Sequence, residues 1–245
     1  MLSILTRWWG RPTFPDYGFL GVDLHSHLIP AIDDGVPDLD TALDCLRRFA
    51  ALGYRKVITT PHINQDYYPN TAAIIRQGLE SLRAAARDEG LTIAIDAAAE
   101  YLLDDDFLTL FRRGEVLTFG DRYLLFELPF AVPPVNLDDL VFEMQTRGYR
   151  PVLAHPERYT YLSEHPDRLD SLRERGCLFQ LNLLSLAGQY GGKARQQARR
   201  LLRADQVDFL GSDLHRPRHA EKLARMLETA DLDLLKGKTF LNERL

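Results

Sequence analysis

From residue 19 onward, short apolar or β-branched runs alternate with longer segments whose apolar positions recur at helical spacing. This is the signature of successive strand–helix units around a parallel sheet. Seven runs read as buried strands: Phe19–Asp23, Lys56–Thr60, Leu91–Ala98, Tyr123–Glu127, Pro151–Ala154, Leu178–Asn182 and Val207–Gly211. Between them, Leu39–Leu52 puts Leu43, Leu46, Phe49 and Ala50 on one helical face ahead of Gly53. Thr71–Glu89 does the same with Ile74, Ile75, Leu79 and Leu82 ahead of Gly90. Asn136–Arg147, Pro166–Arg175 and Lys193–Ala204 read as further helices, the last with Arg195, Arg199, Arg200 and Arg203 on a solvent-facing side. No repeat or linker divides the chain, which predicts one α/β domain over residues 19–245 and an N-terminal arm, residues 1–18, carrying Trp8 and Trp9.

Composition narrows the class without changing that picture. The 245 residues, 45% hydrophobic and 27% charged, suffice for a core without staples and match the usual length of a single α/β barrel. A net charge of −5 and a pI near 5.8 oppose a protein built to hold nucleic acid. No run approaches the roughly 18 consecutive apolar residues of a membrane span, and Arg7 interrupts the start before a signal-type run develops, so a cytoplasmic protein is expected. Cys45 and Cys177 form no CxxC, and Cys45 sits among helix residues expected to be buried. Neither begins the C-x5-R of a thiol phosphatase, since Ala51 and Leu183 stand where the arginine would be.

The chemistry gathers where the strands end. Of seven histidines, five follow predicted strands directly: His25, His27, His62, His155 and His215. In parallel βα folds these C-terminal ends converge on one face, so residues distant in sequence share one pocket. In Asp23-Leu24-His25-Ser26-His27 the period of two points both imidazoles of an H-x-H to the same side, and Asp23 is a candidate supporting residue. Glu100, Glu127 and Asp213 end further strands, and Asp34 in the loop Asp33-Asp34-Gly35 completes a set of nine nitrogen or oxygen ligands, with Asp33 its neighbouring alternative. Each residue alone reads as an ordinary hydrogen-bonded side chain. Together they exceed the three protein ligands of one open catalytic ion and imply a cluster of two or three. Imidazole and carboxylate donors accept manganese, iron, zinc or magnesium alike. His165 and His219 read as surface residues.

Taken in order, DLHSHLIPAIDDG, TTPH, AAE, LLFELP, AHPERY and GSDLH resemble the polymerase-and-histidinol-phosphatase (PHP) superfamily. Within it the chain is similar to the bacterial metal-dependent protein-tyrosine phosphatases of capsular and exopolysaccharide loci, the CpsB/CapC type. The resemblance implies a distorted TIM-like (β/α)7 barrel with three divalent ions, usually manganese. It implies that His25 and His27 share one ion with Glu100 and Asp213, that Glu100, Glu127 and His155 hold a second, and that Asp34, His62 and His215 hold a third. Arg158 matches a phosphate-binding arginine, and Arg218, with Arg216 competing, matches another. The four carboxylates leave three divalent ions with a net charge of about +2, a near match for a phosphate monoester at about −1.5 to −2. The expected reaction is attack by a metal-activated hydroxide on phosphotyrosine, with Arg158 steadying the developing charge. The implied partner is the tyrosine-rich tail of a bacterial tyrosine kinase. Tyr67, Tyr68, Tyr159, Tyr161 and the loop Phe130–Asn136 could border the substrate ring or simply pack. The rivals are a small-molecule phosphatase of the histidinol-phosphate kind and a non-catalytic, metal-stabilised kinase-binding module. An amidohydrolase would commonly need a carboxylated lysine, and none of the five lysines ends a central strand.

Overall fold

Side chains alternate along a strand, so a curled sheet of such strands has an inner and an outer face that must each be filled. The structure, a computed structural model, describes residues 13–245. The strands are β1 (Val22–Leu24), β2 (Lys56–Thr59), β3 (His62–Ile63), β4 (Ala94–Ala97), β5 (Glu100–Leu102), β6 (Tyr123–Glu127), β7 (Arg150–Ala154), β8 (Leu178–Asn182) and β9 (Phe209–Gly211). The helices are α1 (Leu39–Ala51), α2 (Ala72–Asp88), α3 (Asp105–Arg113), α4 (Leu137–Thr146), α5 (Thr160–Glu164), α6 (Pro166–Glu174), α7 (Leu183–Leu186), α8 (Gly192–Arg203) and α9 (Pro217–Leu227), with 3₁₀ turns at Pro156–Arg158, Ala230–Leu235 and Leu241–Arg244. None is long and apolar enough to cross a membrane.

All ladders are parallel, in the orders β1-β2-β4 and β3-β5-β6-β7-β8-β9. The two sheets are one curled surface. β2 and β3 are halves of a path broken at Thr60-Pro61, where proline has no N–H to give a ladder, and β4 and β5 are halves of another broken at Ala98-Ala99. Thr60 N–H donates to Ser26 O at 2.7 Å and Glu100 N–H to Pro61 O at 3.1 Å, carrying the pairing past the breaks. Seven strand paths therefore run round the molecule, as the sequence predicts. The edges meet where Ser26 bridges Leu214 in parallel, with His27 N–H donating to Leu214 O at 2.9 Å.

Val22, Leu24, Ile58, Leu125, Val152 and Phe209 point inward and fill the lower half of the barrel, closed from below by Leu241 and Leu245. Their neighbours Leu124, Phe126, Leu153, Phe179 and Leu210 point outward into the larger core beneath the helices. β1 and β9 share no ladder, and fully buried Asn242 fills that seam: its Nδ2 donates to Val22 O and Leu210 O and its Oδ1 accepts from Leu210 N.

Several expectations are corrected. The first strand starts at Val22 rather than Phe19 because the chain turns at Gly21, whose φ of +69° suits glycine and whose N–H donates to Tyr17 O. Leu91–Ile93 precede β4 outside any ladder. Ile75, Leu79, Leu82, Leu43, Leu46, Phe49 and Cys45 are buried as expected, but Ala50 and Ile74 are exposed: one position along a helix turns a side chain about 100° from the core-facing row. α3, α5, α7 and α9 were not predicted. Of the proposed arm, Tyr17 is fully buried, stacks on Tyr54 at 5.4 Å and donates to Leu223 O, whereas Trp8 and Trp9 lie outside the described residues.

Candidate metal centre

One pleat above the apolar barrel interior, the inward positions turn ionisable. All nine candidate ligands meet at this mouth. Four overlapping sets have ligand atoms lying within 4.8 Å of one another: His27, Asp34, His62 and His215; His25, Glu100 and His155; His25, His27 and Asp213; His62, Glu100 and Glu127. The grouping differs from the one the resemblance implies: His27 also joins the Asp34 cluster, His25 joins Glu100 and His155, and Glu127 joins His62 and Glu100. Three of these residues, His25 (φ +96°), His155 (φ +36°) and Asp213 (φ +51°), take the left-handed region that non-glycine residues rarely adopt. Such strain persists where the surroundings over-determine it, and it gathers at functional sites. Here Asp213 N–H donates to His25 O at 2.8 Å, and Gly211 lets the chains approach, since a Cβ there would lie 2.0 Å from Leu24 O.

Supporting side chains aim the ligand atoms. His25 Nδ1 donates to Gln180 Oε1 at 2.8 Å and His27 Nδ1 meets Asp33 Oδ2 at 2.7 Å, turning each Nε2 into the site. Asp213 Oδ2 accepts from Asn182 Nδ2 (2.7 Å), Tyr190 Oη (2.9 Å) and Arg158 Nη1 (3.1 Å), which leaves Oδ1 for His25, His27 and His215 at 3.4 to 3.7 Å. Glu100 lies between His25 (2.9 Å) and His155 (2.8 Å), and Glu127 lies 3.4 Å from His62. Asp34 faces His215 at 3.3 Å and His62 at 3.7 Å. The two neighbouring aspartates thus take different parts: Asp34 faces the cluster, while Asp33 orients His27.

Burial and mutual charge shift the titration of the whole cluster. Burial raises Glu127 well above the usual carboxylate range, reinforced by the charge of Glu100. Burial also works against ionised Glu100 and Asp213, but the surrounding imidazoles and, at Asp213, Arg158 hold both well below that range. At His25 the burial penalty is overcome by Glu100 and Asp213, lifting it to about 10, and at His215 by Asp34 and Asp213, lifting it to about 9. Burial pushes His27 and His155 down to about 4, helped by His215 and Arg158 respectively. The residues fit divalent cations. Buried His27 Nε2 has no hydrogen-bond partner although carboxylates lie 3.6 and 3.7 Å away, and the donor set is wholly imidazole and carboxylate.

A cleft of about 370 Å³ opens over this cluster, with Arg158, Phe130, Tyr190, Arg216, Arg218 and His219 among its walls. Arg158 is held between the rings of Tyr190 (4.5 Å) and Phe130 (4.8 Å). Both Arg216 and Arg218 are exposed at the cleft. His219 is not a surface residue: α9 buries it to 8% exposure, and its Nδ1 accepts from His215 N–H at 3.3 Å. Gln180, Asn182 and Tyr190 were not singled out from the sequence. For the first two a signal existed, because polar residues at alternate positions of a buried strand need partners inside the barrel. Asp23 accepts from Ser212 N and Oγ, away from the cluster, because His25 at φ +96° breaks the alternation that would put residues 23 and 25 on one side. Buried Glu157 pins the end of β8, accepting from Asn182 N (3.0 Å) and Ser185 Oγ (2.6 Å).

A parallel α/β barrel whose strand ends converge on an imidazole–carboxylate cluster defines the class of metal-dependent barrel hydrolases. Within that class, residues 21–236 match the model of the family described as capsular polysaccharide synthesis, CpsB/CapC, and the chain belongs to that family. The tyrosine-protein phosphatase YwqE of Bacillus subtilis is 32% identical over 195 residues, 79% of this chain and 77% of the relative. The tyrosine-protein phosphatase CpsB of Streptococcus pneumoniae is 26% identical over 200 residues, 79% of this chain and 82% of the relative. A solved structure from work on YwqE and CpsB, described as metal-dependent tyrosine phosphatases, matches with TM-score 0.75 and 30% identity over 89% of this chain and 96% of that one. The histidinol phosphate phosphatase of Lactococcus lactis shares the fold, with TM-score 0.52 and 14% identity over 86% and 93% of the two chains.

Proposed function

We propose that this chain is a metal-dependent protein-tyrosine phosphatase that hydrolyses phosphotyrosine in a cytoplasmic kinase tail of the polysaccharide-export machinery. The observation that carries the reading is the convergence of nine imidazole and carboxylate ligands around a partnerless His27 Nε2, beside the ring-clamped Arg158, in a chain of this family. The three-ion count, manganese and the kinase partner rest on the family resemblance. His25, His27, Asp34, His62, Glu100, Glu127, His155, Asp213 and His215 would hold the ions, which when bound supply Lewis-acid charge and an activated water at neutral pH.

The chain's own residues do the rest. Arg158 gives one N–H to Asp213, and its other guanidinium donors have no protein acceptor among the described residues, so they serve the phosphoryl oxygens. Tyr190 and Phe130 fix the plane of that fork. Arg218, or Arg216 beside it, adds positive charge at the cleft mouth. A tyrosine ester needs little help in leaving, because its phenol has a pKa near 10 and departs more readily than an alkoxide. The test is turnover of a phosphotyrosine peptide against histidinol phosphate by the manganese-loaded protein. Preference for the peptide is expected. Equal or better turnover of histidinol phosphate would overturn the assignment, and turnover of neither would favour a binding module.

A further inference from the structure

The connection between β6 and α4 carries a surface that the hydrolytic cluster leaves unused. Of the seven large apolar side chains that stand exposed among the described residues, four fall within residues 130–142: Phe130, Val132, Val135 and Phe142. Scattered apolar residues on a surface are ordinary, whereas several on one short loop beside a cleft mark an interaction site. Val132 keeps 66% of its surface in water and Val135 essentially all of it, so neither supports the fold. The loop also contains Pro129, Pro133 and Pro134, which restrict the backbone and lower the entropy lost when something binds.

Phe130 belongs to both regions. Its ring lines the cleft, stacking 6.0 Å from the ring of His155 and lying under Arg158, and it stands half-exposed two residues before Val132 on the same loop. The cleft, about 370 Å³, is of a size for one phosphorylated side chain, and whatever carries that side chain must leave across its rim. The occupant of the lip is therefore the polypeptide bearing the phosphate. A bilayer fits poorly, because residues 128–142 contain no Lys or Arg and place Asp138 and Asp139 at the start of α4, opposite in sign to what an anionic lipid surface attracts.

Resting on the phosphatase reading above, we propose that Val132 and Val135, continued by Phe130, form a docking lip that selects phosphotyrosines flanked by large aliphatic residues. The test uses the metal-loaded full chain and three substrates: free phosphotyrosine and two phosphotyrosine peptides of equal length and charge, one flanked by leucines and one by serines. The leucine peptide is expected to have a KM about fivefold lower than the serine peptide at similar kcat, as partial burial of aliphatic surface predicts. The double variant Val132→Ser/Val135→Ser should reduce that ratio to about twofold or less, and Val132→Thr/Val135→Thr, which keeps the side-chain shape, should fall between. Equal KM values for the two peptides, or a ratio unchanged in the serine variant, would overturn the lip. So would loss of a dimer in sedimentation by the serine variant with its peptide preference intact, since the patch would then be a self-association face. No turnover of any of the three substrates would instead refute the phosphatase reading itself.

Discussion

The two halves of the barrel interior are built by the same strands and the same inward face, yet they have opposite chemistry. On β6, Leu125 points into the lower core and Glu127, two residues on, reaches the mouth. β9 goes from Phe209 through Gly211 to Asp213, and β7 from Val152 and Ala154 to His155, which the left-handed backbone at φ +36° turns inward out of alternation. The lower half is hydrophobic, whereas the upper half holds buried acids and imidazoles, three of them on backbone of positive φ. One pleat separates the part that stabilises the molecule from the part that is costly to fold and useful to chemistry.

Truncating the two layers should therefore have separable effects. Leu125→Ala opens a cavity in the lower core and is expected to cost about 2–5 kcal/mol in denaturant unfolding, with turnover per folded molecule nearly unchanged. If activity fell with stability held, the division would fail. Arg158→Lys keeps the charge and loses the fork between Phe130 and Tyr190. Its kcat on phosphotyrosine should drop about 100-fold while the unfolding midpoint moves little. Full activity in that variant would remove Arg158 from the phosphate site.

Titration sharpens the contrast, because the mouth alone carries the shifted groups involved. In the metal-free protein His25 and His215 are lifted to about 10 and about 9, above the ordinary histidine value near 6.5. The stability they supply is fully present below pH 6.5 and is lost as pH rises through their folded values. Thermal unfolding of chelated protein should thus show a declining midpoint between pH 6.5 and 10. Loading with divalent cations near pH 7.5 should release at least two protons, from His25 and His215, read from calorimetry in buffers of different ionisation enthalpy. No release would mean that these imidazoles are not ligands. The smallest effect is expected for Tyr190→Phe, which keeps the ring on Arg158 but removes the hydroxyl from Asp213. A loss of about two- to tenfold in kcat with an unchanged fold is the expected outcome, and no change at all would show that the hydroxyl does not position Asp213.

The legible parts of the molecule are those where local pattern and tertiary role agree. Tyr123–Glu127 and Leu178–Asn182 are strands to the residue, because continuous apolar runs bounded by turns have no other economical use in a parallel barrel. Eight residues of the cluster announced themselves by recurring at strand ends, while the ninth, Asp34, lies in a loop. The breaks at Thr60-Pro61 and Ala98-Ala99 were not legible, since β3 and β5 hold only two and three residues and owe their ladders to neighbours. α9 was missed because its start, Arg216-Pro217-Arg218-His219, looks like loop; it becomes helix by burying Ala220, Leu223 and Met226. His219 was misread for the same reason. The split of work between Asp33 and Asp34 depends on loop geometry that no spacing encodes.

The proposed activity depends on cations held at the barrel mouth. Its most direct test is exhaustive chelation with the residual metal counted by mass spectrometry, followed by turnover of phosphotyrosine before and after manganese is restored. The expected result is activity that disappears with the metal and returns with it, at more than one ion per chain. Undiminished turnover by verified metal-free protein would contradict the central claim.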